Sequence, residues 1–217
     1  MKPKEIIKRY ALFIISLFFS GLGVAMTKHG ALGVSPISSV ANVLSLRFTF
    51  LSIGSWLIVT NCLMVLAQIL ILRKKFRPIQ LLQIPLSFLF GYFTDLGMLL
   101  ISPIPAEAYP VRLALVVGGV AVLGFGISLS VIANVIMNAG EGLVKAVADT
   151  AGKPFGTVKV IFDVSYVTFS ILLSLLLFSG SLRGTREGTV IAAVGTGFVV
   201  KLFNRLLAKP LDAALRK

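Results

Sequence analysis

Asp95 and Asp163 each interrupt an apolar run long enough to cross a bilayer. A charged side chain at mid-membrane costs about 2.5–3.5 kcal/mol on insertion scales, so an acid in such a place has a task or a partner. Asp95 lies near the far end of its run. It reads either as a carboxylate facing a cavity and carrying a proton or cation, or as an interhelical hydrogen bond near the interface. Lys159 precedes Asp163 by four residues, which puts both on one helical face. Either they neutralise each other, with the lysine stem snorkelling to the interface, or Asp163 lies on a solute route. Asn61 is the corresponding polar residue earlier in the chain. It shares a face with Gly54 and Gln68 at seven-residue spacing. Glu141, Lys145 and Asp149 recur every four residues, a charged stripe that either faces solvent or lines a vestibule.

Other chemistries lack their residues. There is no G-x-x-x-x-G-K-[ST] and no H-E-x-x-H. "GLGVAM" (21–26) and "GFGISL" (124–129) start like a dinucleotide fingerprint but lack the third glycine and lie in apolar runs. Their glycines suit close helix packing. One cysteine, Cys62, and one histidine, His29, form neither an intramolecular disulfide nor a soft-metal cluster. The expectation is a protein without cofactor or metal that is not an enzyme.

The elements that must position these residues are membrane helices. Hydrophobic residues make up 57% of the 217 and charged ones 13%, and the mean hydropathy is +0.97. A soluble domain this size could not face water with that composition. Six stretches approach the roughly 20 residues that a spanning helix needs: about 9–27, 49–72, 78–101, 111–136, 155–180 and 187–208. The first follows a basic start, "MKPKEIIKRY", and is long enough to be an uncleaved span rather than a secretory signal. Lys2, Lys4, Lys8 and Arg9, then "RKKFR" (73–77), Lys145 and Lys153, and Lys209, Arg216 and Lys217 fall on one side of such a bundle. The bias of basic loops makes that side cytoplasmic, with both termini there. His29 falls in an external turn. Lys201 and Arg205 read as interfacial anchors. The net charge of +13 then implies contact with anionic lipid at the cytoplasmic face, not nucleic acid.

The two halves repeat. "GLGVAM" matches "GFGISL", Gly54 with Asn61 matches Gly156 with Asp163, and Gly91 with Asp95 matches Gly197 with Lys201, at separations of 103, 102 and 106 residues. Three spans per unit place the second unit upside down. The expected fold is all-α: six transmembrane helices as two inverted three-helix repeats, residues 1–107 and 108–217. Each repeat holds a short helix after its first span, about 35–46 and about 139–151. Ser35 is placed to cap the first, with Pro36 at its first position. Asn138 and Glu141 have capping-box spacing at the second. Each is read as a half-helix dipping into the protein from its own membrane face, the alternative being an amphipathic helix on the surface. Two half-helix N-termini near the midplane, with Asn61 and Asp163 meeting near the pseudo-two-fold axis, are a plan of secondary transporters.

"GLGVAMTKHGALGVSPISSV", "QLLQIPLSFLFGYFTD", "GTVKVIFD" and "GTVIAAVGTG" resemble the YczE/YyaS/YitT group of bacterial integral membrane proteins over most of the chain. The resemblance implies a bacterial inner-membrane protein of five or six helices and little about activity. The leading expectation is a small secondary transporter or permease for an unidentified small solute, with Ser35, Asn61, Asp95, Glu141, Lys159 and Asp163 as candidate substrate-binding residues. The first alternative is a substrate-capture subunit like the S-components of vitamin importers, served by an external ATPase module. Ser16, Ser20, Gly21 and Ala25 on the first span would dock such a module, or pack internally. The second alternative is an accessory membrane protein without transport. A homo-oligomer is compatible with each.

Overall fold

The computed structural model describes residues 3–216; Lys2 and Lys217, two of the basic residues assigned to one face, lie outside them. Regular structure among the described residues is helical: α1 (Pro3–Gly30), α2 (Ser39–Arg47), α3 (Ile53–Leu72), α4 (Gln83–Ile101), α5 (Tyr109–Ala133), α6 (Ala139–Ala151), α7 (Phe155–Leu177) and α8 (Glu187–Arg216). All but α2 and α6 are long and apolar enough to cross a bilayer, so the chain is a multi-pass membrane protein. The expected six spans are present. The first and last are longer than expected, because α1 continues to Gly30 and α8 runs through Pro210 to Arg216. His29 therefore lies in the last turn of α1, with Nε2 2.8 Å from the Ile104 carbonyl, and not in a free turn.

Local chemistry sets the ends. After α1 the chain breaks through Ala31 at φ 52° and Gly33 at φ 119°. At Gly33 the left-handed backbone and the space both demand glycine, since a Cβ there would lie 2.7 Å from the Thr189 nitrogen. After α5 the same service comes from Asn134 at φ 48°, one of the few non-glycine residues that tolerates it. Ser52 caps α3 by accepting from the Ser55 N–H at 3.0 Å.

α1 and α5 pack antiparallel at the centre. A Cβ on Gly23 would fall 2.5 Å from the Leu123 nitrogen and 2.7 Å from the Gly119 oxygen. A Cβ on Gly126 would fall 2.6 Å from the Ser20 nitrogen and 2.8 Å from the Ser16 oxygen. Each glycine thus lets backbone meet backbone. Residues 16, 20 and 23 stand 103 positions before 119, 123 and 126, so the two approaches are mutual images. Outside this pair, α4 packs on α1 and α8 on α5. Gly21 seats against Phe93 and Thr94, and Gly124 against Thr196 and Val199. α3 lies against α4 and α6, while α7 lies against α2 and α6.

The stripe Ser16, Ser20, Gly21 and Ala25 is buried within this packing. Its small side chains serve α1's contacts with α4 and α5, which leaves none of the stripe free to dock another subunit.

Candidate functional site at the meeting of two short helices

α2 and α6 come in from opposite ends of the bundle. α2 follows the end of α1, beside which the first residues of α5 lie: Arg112 Nε donates to the Gly30 carbonyl and Nη2 to that of Ala31, both at 2.9 Å. α6 follows the end of α5, beside which the first turns of α1 lie. There Arg9 Nη1 donates to the Ile132 and Ala133 carbonyls at 3.2 and 3.3 Å.

Their starts meet inside the protein. Pro36–Ser38 forms a 3₁₀ turn leading into α2. Its Ile37 seats on Gly140 of α6, where a Cβ would lie 2.8 Å from the isoleucine Cδ1. The five residues Ser39–Val43 are all buried, so protein surrounds the first half of α2 on every side. α6 buries Ala139, Gly140, Gly142, Leu143 and Val144 and exposes Lys145 and Asp149, which pair with each other at 3.0 Å. A helix lying flat on a membrane surface would bury one face only. The start of α2 buries every side, and the start of α6 leaves only Glu141 half-buried.

Ser35 occupies the N-cap position before Pro36, but its hydroxyl donates to Ser38 Oγ at 3.0 Å and caps no amide. Asn138 is the N-cap of α6, and no side-chain cap bond forms, so the capping box expected with Glu141 is not made. The first turn of α6 therefore keeps amide donors without a side-chain acceptor. The half-buried Glu141 carboxylate lies in that turn, where a negative charge complements the helix dipole. The polar groups around the two starts are thus the mutually bonded Ser35 and Ser38 hydroxyls, the first amides of α6 and the Glu141 carboxylate.

Behind each tip lies a polar cross-link within a hairpin. Gln68 at the end of α3 and Gln83 at the start of α4 exchange amide bonds, Nε2 to Oε1 at 2.8 Å one way and 3.2 Å the other. Gln68 Nε2 also donates to the Ala139 carbonyl at 3.1 Å, and Gly142 lies against the pair. In the second hairpin Ser170 on α7 and Thr185 before α8 are hydrogen-bonded at 2.9 Å. These two buried pairs stand 102 residues apart.

Asp95 joins α4 to the start of α3. It takes a hydrogen bond from Ser52 Oγ at 2.5 Å and from the Gly54 N–H at 2.9 Å, so α4 caps the start of α3. Lys159 bonds both Asp163 oxygens at 2.5 Å, and each side chain is about a quarter exposed. Asn61 is 8% exposed. Seven-residue spacing sets Asn61 on the stripe that carries Gly54 and Gln68, both of which touch α4. It sets Asp163 on the stripe of Gly156 and Ser170, the latter held to Thr185. Asn61 thus lies on the face of α3 that meets α4, while Asp163 lies on a face of α7 whose one cross-link here, at Ser170, reaches the loop before α8. No hydrogen bond joins Asn61 to Asp163 among the described residues. Where α3 and α7 converge on α6, the packing is apolar, through Met64, Val65, Leu143, Phe162 and Tyr166.

Sequence reasoning missed three polar residues that hold the site. Arg9 reads in sequence as a topology signal and Arg112 carries no assignment, yet they stand 103 residues apart like the glycine pairs. Lys28 donates to Asn42 Oδ1 at 3.0 Å and Ser45 Oγ at 2.7 Å, and Asn42 Nδ2 reaches the Gly184 carbonyl at 2.8 Å. That chain ties α2 to α1 and to the loop before α8.

A family model described as a family of unknown function, DUF6198, matches residues 7–205. No curated protein and no solved structure matches the chain.

Proposed function

We propose that this chain, which belongs to the DUF6198 family, is a small secondary transporter or permease that passes a small polar solute between the starts of α2 and α6. The observation that carries the reading is the seating of Ile37 on Gly140: two half-helices from opposite ends of the bundle meet tip to tip. Broken helices meeting at mid-depth are how many transporters build a solute site. The tips supply amides and hydroxyls, and Glu141 supplies the one carboxylate there. Two inverted repeats, 1–107 and 108–217, are part of the proposal. Their support is the reciprocal glycine contacts of α1 and α5 and the reciprocal arginine contacts at their ends. So are the likeness to the YczE/YyaS/YitT group, an inner-membrane location and cytoplasmic termini, which rest on the motifs and on the basic residues of one face.

The substrate-capture alternative loses its docking stripe, which is used inside the bundle. The test is flux. Purified protein is first screened by thermal shift against amines, carboxylates, amino acids and sugars, since a ligand raises stability by mass action. The stabilising class is then offered to proteoliposomes. Uptake above that of empty liposomes, lost in Glu141→Gln, is expected. Uptake equal to empty liposomes for every class rejects the reading.

A further inference from the structure

A cavity of about 460 Å³ opens where the start of α1, the end of α5 and the last half of α8 meet. Arg9, Asn134, Asn204, Lys209, Asp212 and Arg216 supply its polar lining, and Val131 and Ala208 part of an apolar wall. Helix length sets its depth. At a rise of 1.5 Å per residue the 30 residues of α8 span roughly 45 Å, against about 30 Å of hydrocarbon. Counted from Glu187, the charged residue that opens α8, about twenty residues cross the apolar layer, and the stretch that carries Lys209, Asp212 and Arg216 reaches headgroup depth.

The polar groups are held from behind. Arg9 is spent on Glu5, on Asp212 and on the last carbonyls of α5, and Arg216 bonds Asp212 at 2.7 Å. These bonds tie the tail of α8 to the start of α1 and match both acids. Ser128, fully buried, donates to Asn204 Oδ1 at 2.9 Å, which leaves the Asn204 NH2 group to donate elsewhere. Among the described residues Lys209 has no ion-pair partner, so the cavity keeps one unmatched positive charge. The arrangement exists at one end only. The packing offset of 103 residues sets Lys201, Arg205 and Lys209 opposite Met98, Ser102 and Ala106 of the first half, and those positions carry no charge.

We propose that this cavity binds the phosphodiester of one anionic phospholipid, with the phosphate against Lys209, Asn204 and Asn134 and an acyl chain along the apolar wall. One net positive charge beside amide donors matches a singly charged phosphodiester. Glu5 and Asp212 are already taken up by arginines, so no acid remains for the amine of a zwitterionic headgroup. Val131 is exposed at the rim, a surface that a lipid tail covers and a free phosphate leaves bare. The bound lipid fastens α8, of which only Gly188, Thr189, Ala192 and Leu215 are buried, to α1 and α5. The site is independent of any solute route.

Native mass spectrometry of the delipidated protein tests it, with phosphatidylglycerol, phosphatidylcholine and inorganic phosphate as probes. The parent should hold phosphatidylglycerol more tightly than phosphatidylcholine. Lys209→Gln should weaken that binding by about fivefold, the worth of one interfacial cation, and Lys209→Arg should keep it. Asn134→Gly preserves the left-handed backbone while removing the amide, and should also weaken it. Lys74→Gln, at an exposed position of the α3–α4 loop, should bind as the parent does. Lys209 and Asn134 are exposed, and size-exclusion profiles like the parent's establish that their variants fold. Equal retention of the two lipids overturns the proposal, and so does unchanged binding in both cavity variants. A loss in Lys74→Gln equal to that in Lys209→Gln overturns it in favour of diffuse surface charge. Displacement of the lipid by inorganic phosphate, but not by chloride of matched ionic strength, overturns the lipid as occupant.

Discussion

Arg9 and Arg112 each cap the helix that carries the other. Arg9, on α1, donates to the last two carbonyls of α5, and Arg112, on α5, donates to the carbonyls of Gly30 and Ala31 at the end of α1. The last carbonyls of a helix have no intrahelical donor, and at a membrane boundary water serves them poorly. A cation there also meets the negative end of the helix dipole. Arg9 is further held by Glu5 and Asp212, at 2.9 and 2.6 Å.

Removing either arginine should therefore do comparable damage. A hydrogen bond from a charged group contributes about 1.5–3 kcal/mol, and each variant strands two acceptors. Arg9→Leu and Arg112→Leu should each lower the midpoint of thermal unfolding in detergent, and the double variant should fall further than either. A melting curve of Arg112→Leu that overlays the parent would contradict the capping role.

The glycines of the two hairpins should respond oppositely to alanine. At Gly54 an added methyl meets the Gly91 backbone, and overpacking of this kind costs about 1–3 kcal/mol. At Gly156, in the first turn of α7, it meets nothing, and alanine is the better helix former. Size-exclusion profiles and unfolding midpoints of Gly54→Ala and Gly156→Ala should separate in that order. Equal effects would mean that the α3–α4 seam is not a close contact.

Gln68 is fully buried and Gln83 is 3% exposed. Truncating one strands the amide of the other, at about 1–3 kcal/mol. Gln68→Leu should thus destabilise more than Gln68→Leu with Gln83→Leu, in which both amides are gone. If the double variant is the worse of the two, the pair owes its value to shape and not to hydrogen bonding.

Lys159 and Asp163 separate a structural role from a functional one. Asp163→Asn leaves the ammonium of Lys159 without its carboxylate and should lower stability. Lys159→Met with Asp163→Leu should restore folding. If Asp163 also lines the solute route, that double variant neither binds nor moves solute. A well-folded double variant with ordinary solute binding would exclude Asp163 from the site.

Topology can be read with reporter fusions after Arg77 and after Glu107. The first should report cytoplasm and the second the outer side. A cytoplasmic signal after Glu107 would reverse the orientation assigned from the basic residues and undo the alternation of spans.

Much of this architecture could be read from residue types. Span number followed from apolar run length, because a bilayer leaves no other use for six such runs. The spacing of 103 between "GLGVAM" and "GFGISL" marked Gly23 and Gly126, which proved to be the contact points of the central helices. What escaped depends on crossing geometry. Gln68 and Gln83 lie 15 residues apart on either side of a turn, and no periodicity announces that their amides will meet. Asp95 caps α3 from another helix, a role hidden while Ser52 and Gly54 were taken as the interior of a span beginning near 49. Gly91 and Gly197 matched in sequence at 106 residues, three more than the packing register of α4 and α8 on the central pair, so Gly197 sits about one turn beyond the place that Gly91 would predict.

The crossed arginines carry a consequence for how the chain is made. While the first three spans stand alone in the membrane, the carbonyls of Gly30 and Ala31 await a guanidinium still to be synthesised, and Arg9 awaits a helix that does not yet exist. The first half is therefore born with an exposed need at each rim, and the arrival of α5 answers both in one docking event. The same arithmetic holds for two separate copies of a half-length chain lying head to tail: one arginine near the start of the first span would suffice for both. In one continuous chain the two arginines are separate residues, and each can change without the other.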